Sequence, residues 1–186
     1  MFLKSVHYIN EGAFNKSFCE KIIQIGDSQK LQLAKIQDGN QLNRKSYVGW
    51  IKDESLIKII TPIINQANEK SNWNFLLREF EPLQYTVYDI NNHYDWHIDT
   101  HVTPYKNDLV RKLSFTICLN DDYTGGEFEI CLPHPNHSKH KNFRFQKVFK
   151  KGTIIVFPSH LWHKIYPVKS GVRKALVGWV VGKPFV

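Results

Sequence analysis

His97-Ile98-Asp99 places an imidazole and a carboxylate two residues apart in the β-rich stretch YDWHID (94–99). In an extended strand residues i and i+2 project from the same face, so the two groups point together. His163 follows the apolar run GTIIVF (152–157) and a Pro-Ser turn, and it heads another β-like stretch. A neighbouring strand can therefore bring it beside His97 and Asp99. Two histidines and one carboxylate make a facial triad, the arrangement expected for non-haem Fe(II) because it leaves three coordination sites open. Each piece alone is bland: an H-x-D triplet is common in a chain with nine histidines, and a single strand histidine is usually structural. His160, in the turn three residues earlier, competes with His163 but lacks its strand context.

Arg173 lies ten residues beyond His163 among Val172, Ala175, Leu176, Val177 and Trp179. An arginine there either faces solvent beside Lys174 or meets an anion. A planar guanidinium grips a carboxylate through two parallel hydrogen bonds, which suits a dicarboxylic acid whose other end chelates a metal.

These side chains need elements to position them. Up to about residue 72 the pattern is helical: Phe14, Phe18, Ile22 and Ile25 recur at helical spacing. A second helix opens at Asp53 with Leu56, Ile59, Ile60, Ile63, Ile64 and Ala67 on one face, and Pro62 kinks it or marks its start. Beyond Asn72 short β-rich runs alternate with turns, and strands are expected at 83–90, 94–99, 110–120, 126–132, 143–149, 152–157, 163–168 and 172–181. The expected fold is mainly β with flanking α-helices, as a sandwich, barrel or jelly roll. The double-stranded β-helix, or jelly roll, is favoured because its open end lets inward polar groups converge. One domain spans 1–186, with helical support at about 10–72 and the jelly-roll core at about 73–182.

With 186 residues and 42% hydrophobic composition the chain can bury a core, which excludes disorder, collagen-like repeats and a minimal disulfide scaffold. The net charge of +8 allows an acidic or nucleic-acid partner, but cations spread over many segments read first as a soluble surface. Cys19, Cys118 and Cys131 form no C-x-x-C pair, and an odd count suits a reducing compartment. No run approaches the about 18 apolar residues of a membrane span, so a cytoplasmic protein without a membrane partner is expected.

In combination, the sequence resembles the 2-oxoglutarate- and Fe(II)-dependent dioxygenases, within them the prolyl 4-hydroxylase-like branch that includes bacterial and phage hydroxylases of the PKHD type. The resemblance covers about residues 73–182. It rests on Gln84 to Tyr88, His93 to Asp99, Leu119-Asn120, Gly125-Gly126-Glu127-Phe128, Phe157-Pro158-Ser159, and His163 through Pro167-Val168, Gly171, Arg173 and Trp179. It implies iron ligation by His97, Asp99 and His163, an Arg173 pair with the distal carboxylate of 2-oxoglutarate, and a Tyr88 hydrogen bond to that cosubstrate. The implied activity couples oxidative decarboxylation of 2-oxoglutarate by O2 to hydroxylation of a C–H bond, with ascorbate as accompanying reductant. Arg173, where collagen-type members usually carry Lys, points to the bacterial and phage-like branch. Asp99 argues for hydroxylation, because related halogenases lack this carboxylate. Cys118 stands where some relatives place a pocket-lining tyrosine. The implied substrate is a peptidyl proline or another amino-acid side chain. Its rivals are a nucleobase or small metabolite, and a non-catalytic metal- or sugar-binding jelly-roll module.

Other features read plainly. Gly125-Gly126 permits a tight turn. His134, His137 and His140 belong to the polar loop HPNHSKHKN, while His93, His97 and His101 share a face only in a helix, which the β-pattern opposes. Tyr94, Trp96, Trp162 and Trp179 are expected mostly in the core or packed around the metal ligands, with a minority lining a substrate groove suited to a proline-like ring or extended peptide.

Overall fold

The computed structural model describes residues 5–34, 43–100, 108–145 and 149–184. The elements run in the order β1 Tyr8–Asn10, α1 Lys16–Asp27, β2 Gln32–Leu33, β3 Arg44–Lys45, β4 Tyr47–Ile51, α2 Glu54–Lys70, β5 Glu79–Phe80, β6 Leu83–Tyr88, β7 His93–His97, β8 Val110–Cys118, β9 Thr124–Gly125, β10 Phe128–Leu132, β11 Lys141–Arg144, β12 Ile154–Pro158, β13 Trp162–Ile165, β14 Val168–Ser170 and β15 Arg173–Gly182. Among the described residues the larger sheet is ordered β1-β12-β8-β15-β6-β4-β2, with β5 alongside β15. The smaller sheet is β11-β10-β13-β7-β3, and β14 pairs with β9. This is the mainly β, jelly-roll architecture with flanking helices that the sequence led us to expect.

Both helices begin where side chains satisfy orphan N–H groups. Asn15 Oδ1 accepts from the Phe18 amide at 2.8 Å, and Asp53 Oδ1 accepts from the Ser55 and Leu56 amides at 2.8 and 3.3 Å. Pro62 sits inside α2 and does not mark its start. Leu56, Ile60, Ile64 and Ala67 are buried on the sheet, whereas Ile59 is half exposed. The buried stripe is thus narrower than the apolar run implied. No helix among the described residues is long and apolar enough to cross a membrane.

Strand alternation gives the larger sheet two different faces. Leu83, Tyr85 and Val87 of β6 and Leu113, Phe115 and Ile117 of β8 join Ile22 of α1 and the α2 stripe in one core cluster. Their alternating neighbours, Gln84 and Tyr88 on β6 and Thr116 on β8, line a cavity on the other face. Close helix approach explains Gly26, because a Cβ there would collide with the Tyr85 ring. Tyr85 also ties the end of α1 to the sheet: its hydroxyl donates to Asp27 Oδ1 at 2.7 Å, while Lys174 Nζ on β15 meets Asp27 Oδ2 at 2.6 Å.

Three expectations shift in detail. Strands 8–10, 32–33, 44–45, 47–51 and 79–80 lie outside the β-rich runs read from sequence, and most are too short to show a period-two pattern. The 163–168 run divides into β13 and β14 around Pro167, which has no N–H for a ladder. The 143–149 strand begins earlier, at Lys141, and its positions 146–148 lie outside the described residues.

Candidate metal centre and binding cavity

Antiparallel pairing of β7 with β13 sets His97 directly opposite His163, and β10 flanks His163 through Ile130. The imidazole centroids are 4.0 Å apart. Asp99 arrives differently from the strand-face expectation, because β7 ends at His97. The chain instead turns back, and the Asp99 and Thr100 amides both donate to the Ser159 carbonyl, at 2.9 and 3.1 Å. That turn brings Asp99 Oδ1 to 3.8 Å from His97 Nε2 and Oδ2 to 3.4 Å from His163 Nε2. Among the described residues these three form the one group of His, Cys, Asp or Glu side chains with ligand atoms all within 4.8 Å.

Surrounding hydrogen bonds orient each donor. His97 Nδ1 bonds the Asp95 carbonyl at 2.7 Å, and His163 Nδ1 bonds the Leu161 carbonyl at 2.9 Å. A carbonyl can only accept, so Nδ1 carries a proton in each ring and Nε2 is the nitrogen left to face the centre. Burial pushes the His97 pKa well below its ordinary value, with the neighbouring His163 adding to the effect. His97 is therefore held neutral, as a metal ligand must be. Burial alone would raise the Asp99 pKa, but His163, His97 and Arg111 outweigh it and hold the carboxyl well below the usual range. Two imidazoles and an ionised carboxylate fit a divalent transition metal, and this mixed N/O set with open positions suits Fe(II).

Aromatic and hydroxyl contacts complete the setting. Tyr94 stacks on His97 with ring centroids 3.4 Å apart and planes 12° apart, and the Arg44 guanidinium carbon lies 4.5 Å from the Tyr94 ring centroid. Burial pushes the Tyr94 phenol up to about 12. Ser114 Oγ donates to Asp99 Oδ2 at 2.7 Å and lies 2.9 Å from Ser159 Oγ. Since the Ser114 proton is already committed, Ser159 is the donor in that second bond.

A cavity of about 600 Å³ joins this centre to Arg173. Arg173 is only 3% exposed and faces Tyr88 across the β15–β6 ladder, its Cζ 5.3 Å from the Tyr88 ring. Burial penalises its charge, and among the described residues the groups that favour it are Tyr123, Cys118 and Tyr88, none of them a carboxylate. A buried cation without a counter-anion is costly, so this end of the cavity suits a ligand carboxylate. Burial pushes the Cys118 thiol up to about 11, so it is neutral there. Gly126 makes the space: at φ +63° it turns the chain, and a Cβ would stand 3.0 Å from Arg173 Cδ.

Sequence reasoning named the triad, Arg173 and Tyr88, and the structure brings all five to the one cavity. It did not find Ser114, Thr116, Arg44, Arg111 or Trp50, which carry no motif and become neighbours only through sheet pairing. Tyr94, Trp96, Trp162 and Trp179 were expected mostly in the core or around the metal ligands, with a minority in a groove, and all four line the cavity that holds the metal group. His160 is exposed and does not join the metal group, and His137 and His140 are exposed on their loop. His134 is half-buried against Trp162. His101 lies outside the described residues.

Residues 83–181 match the family profile described as the 2OG-Fe(II) oxygenase superfamily. A PKHD-type hydroxylase from Synechococcus sp. strain CC9902 is 34% identical over 107 residues, covering 56% of this chain and 43% of the relative. Another, from Prochlorococcus marinus strain MIT 9515, is 34% identical over 156 residues, covering 80% of this chain and 61% of its own length. The chain thus spans roughly half the length of these curated relatives. The fold is similar to that of a viral collagen prolyl hydroxylase from Paramecium Bursaria Chlorella virus-1, solved as a 2OG complex. The TM-score is 0.70 at 18% identity, covering 96% of this chain and 97% of the viral one.

Proposed function

Because the chain belongs to the 2OG-Fe(II) oxygenase superfamily, we propose that it is an Fe(II)- and 2-oxoglutarate-dependent hydroxylase acting on a C–H bond of a peptidyl proline or another amino-acid side chain. One observation carries this reading: a single cavity has the His97, Asp99 and His163 donors at one end and the buried Arg173 at the other. In this reading the bound iron, with 2-oxoglutarate and O2, supplies the oxidising power. The chain's own contribution is placement and shielding. His97, Asp99 and His163 hold the metal and leave positions open, while Arg173 grips the distal carboxylate and Tyr88 orients the cosubstrate beside it. Buried β-strand side chains keep water from the reacting end. The tryptophan-lined cavity suits a proline-like ring or an extended peptide, and the related proteins named above support that substrate class. Ascorbate serves as the accompanying reductant.

The test is O2-dependent conversion of 2-oxoglutarate to succinate, abolished in His163→Ala. Mass spectrometry for a +16 Da product across proteins, nucleic acids and metabolites then identifies the substrate. Absence of iron and 2-oxoglutarate affinity in anaerobic titration sinks the reading.

A further inference from the structure

On β8 the side chains of Ser114, Thr116 and Cys118 alternate with Leu113, Phe115 and Ile117, which are buried in the helix-facing core. Ser114 stands at the metal end of this row, bonded to Asp99. Cys118 stands at the other end, within the field of Arg173. Thr116 lies between them, opposite Val177 of β15, and it lines the cavity. It is only 6% exposed, and its Oγ1 is buried without a hydrogen-bond partner. Of the three polar side chains in the row, Ser114 has spent its proton on Asp99, and a neutral thiol is a weak donor. Thr116 alone has an uncommitted hydroxyl. A buried hydroxyl with nothing to bond costs free energy unless a ligand satisfies it. Rotation about Cα–Cβ gives the hydroxyl three staggered positions to choose among in a residue that lines the cavity.

Resting on the functional reading above, we propose that the Thr116 hydroxyl donates a hydrogen bond to 2-oxoglutarate bound between the metal centre and Arg173, making Thr116 a determinant of cosubstrate affinity.

The test is anaerobic titration of 2-oxoglutarate into the Co(II)-loaded protein, comparing the wild type with Thr116→Val and Thr116→Ser. Valine keeps the shape and loses the hydroxyl, so affinity should fall about tenfold, while serine should retain it. In turnover, KM for 2-oxoglutarate should rise with kcat preserved at saturation. Without ligand, Thr116→Val should melt at or above the wild-type temperature, because it removes an unsatisfied group. Wild-type affinity with unchanged Thr116→Val affinity overturns this inference alone. A wild type that binds no 2-oxoglutarate overturns the functional reading beneath it.

Discussion

The Ser114 hydroxyl holds Asp99 by its Oδ2 at 2.7 Å and is itself held by Ser159, so the carboxylate of the candidate metal centre is fixed by a chain of two serines. Both serines are fully buried. Hydrogen-bonded partners of metal ligands contribute substantially to affinity, and Ser114→Ala should weaken Co(II) binding by about tenfold or more. Ser114→Thr keeps the hydroxyl and should restore most of it. Competitive metal titration measures both, and equal affinity in all three proteins would remove the positioning role.

Metal binding should stabilise the fold by tying the end of β7, through His97 and Asp99, to His163 on β13. At Co(II) concentrations 100 times the dissociation constant the gain is about 2.7 kcal/mol, or roughly 5–10 °C in melting temperature. Chelation should reverse it. His163→Ala and Asp99→Asn should show no such shift, as followed by differential scanning fluorimetry.

Tyr94 acts through its ring, which lies flat on His97 and within cation–π distance of Arg44. Tyr94→Phe keeps that surface and should leave metal affinity near the wild-type value. Tyr94→Ala removes it and should cost on the order of 2 kcal/mol of stability in urea unfolding, with weaker metal binding.

Asp27 makes stability depend on acid. Burial would raise its pKa, but hydrogen bonds from Lys174 and Tyr85 outweigh burial and hold the carboxyl below its ordinary value. A depressed folded-state pKa gives stability that is present above the unfolded value, about 3.9, and lost as pH falls through the folded value. Asp27→Asn should therefore melt lower than the wild type at pH 7. The difference should close in acid, below about pH 4, as thermal melts across pH will show.

The sequence by itself pointed to the β-rich core after residue 72, two amphipathic helices, and His97, Asp99, His163 and Arg173 as candidate site residues, while Tyr88 came from the family resemblance alone. Residue type and local period carry that information, since apolar spacing sets an element's faces and a short list of side chains can ligate metal or grip a carboxylate. Only the tertiary structure decided how they meet. His97 and His163 lie 66 positions apart in the chain and become opposite partners through the β7–β13 register. Asp99 reaches them through a turn bonded to Ser159, where the sequence pattern suggested a strand face. Ser114, Thr116 and Trp50 have no signature of their own; cross-strand pairing gives them their neighbours. Local pattern fixes which way a residue faces within its strand, whereas the company it keeps depends on which distant strand lies beside it.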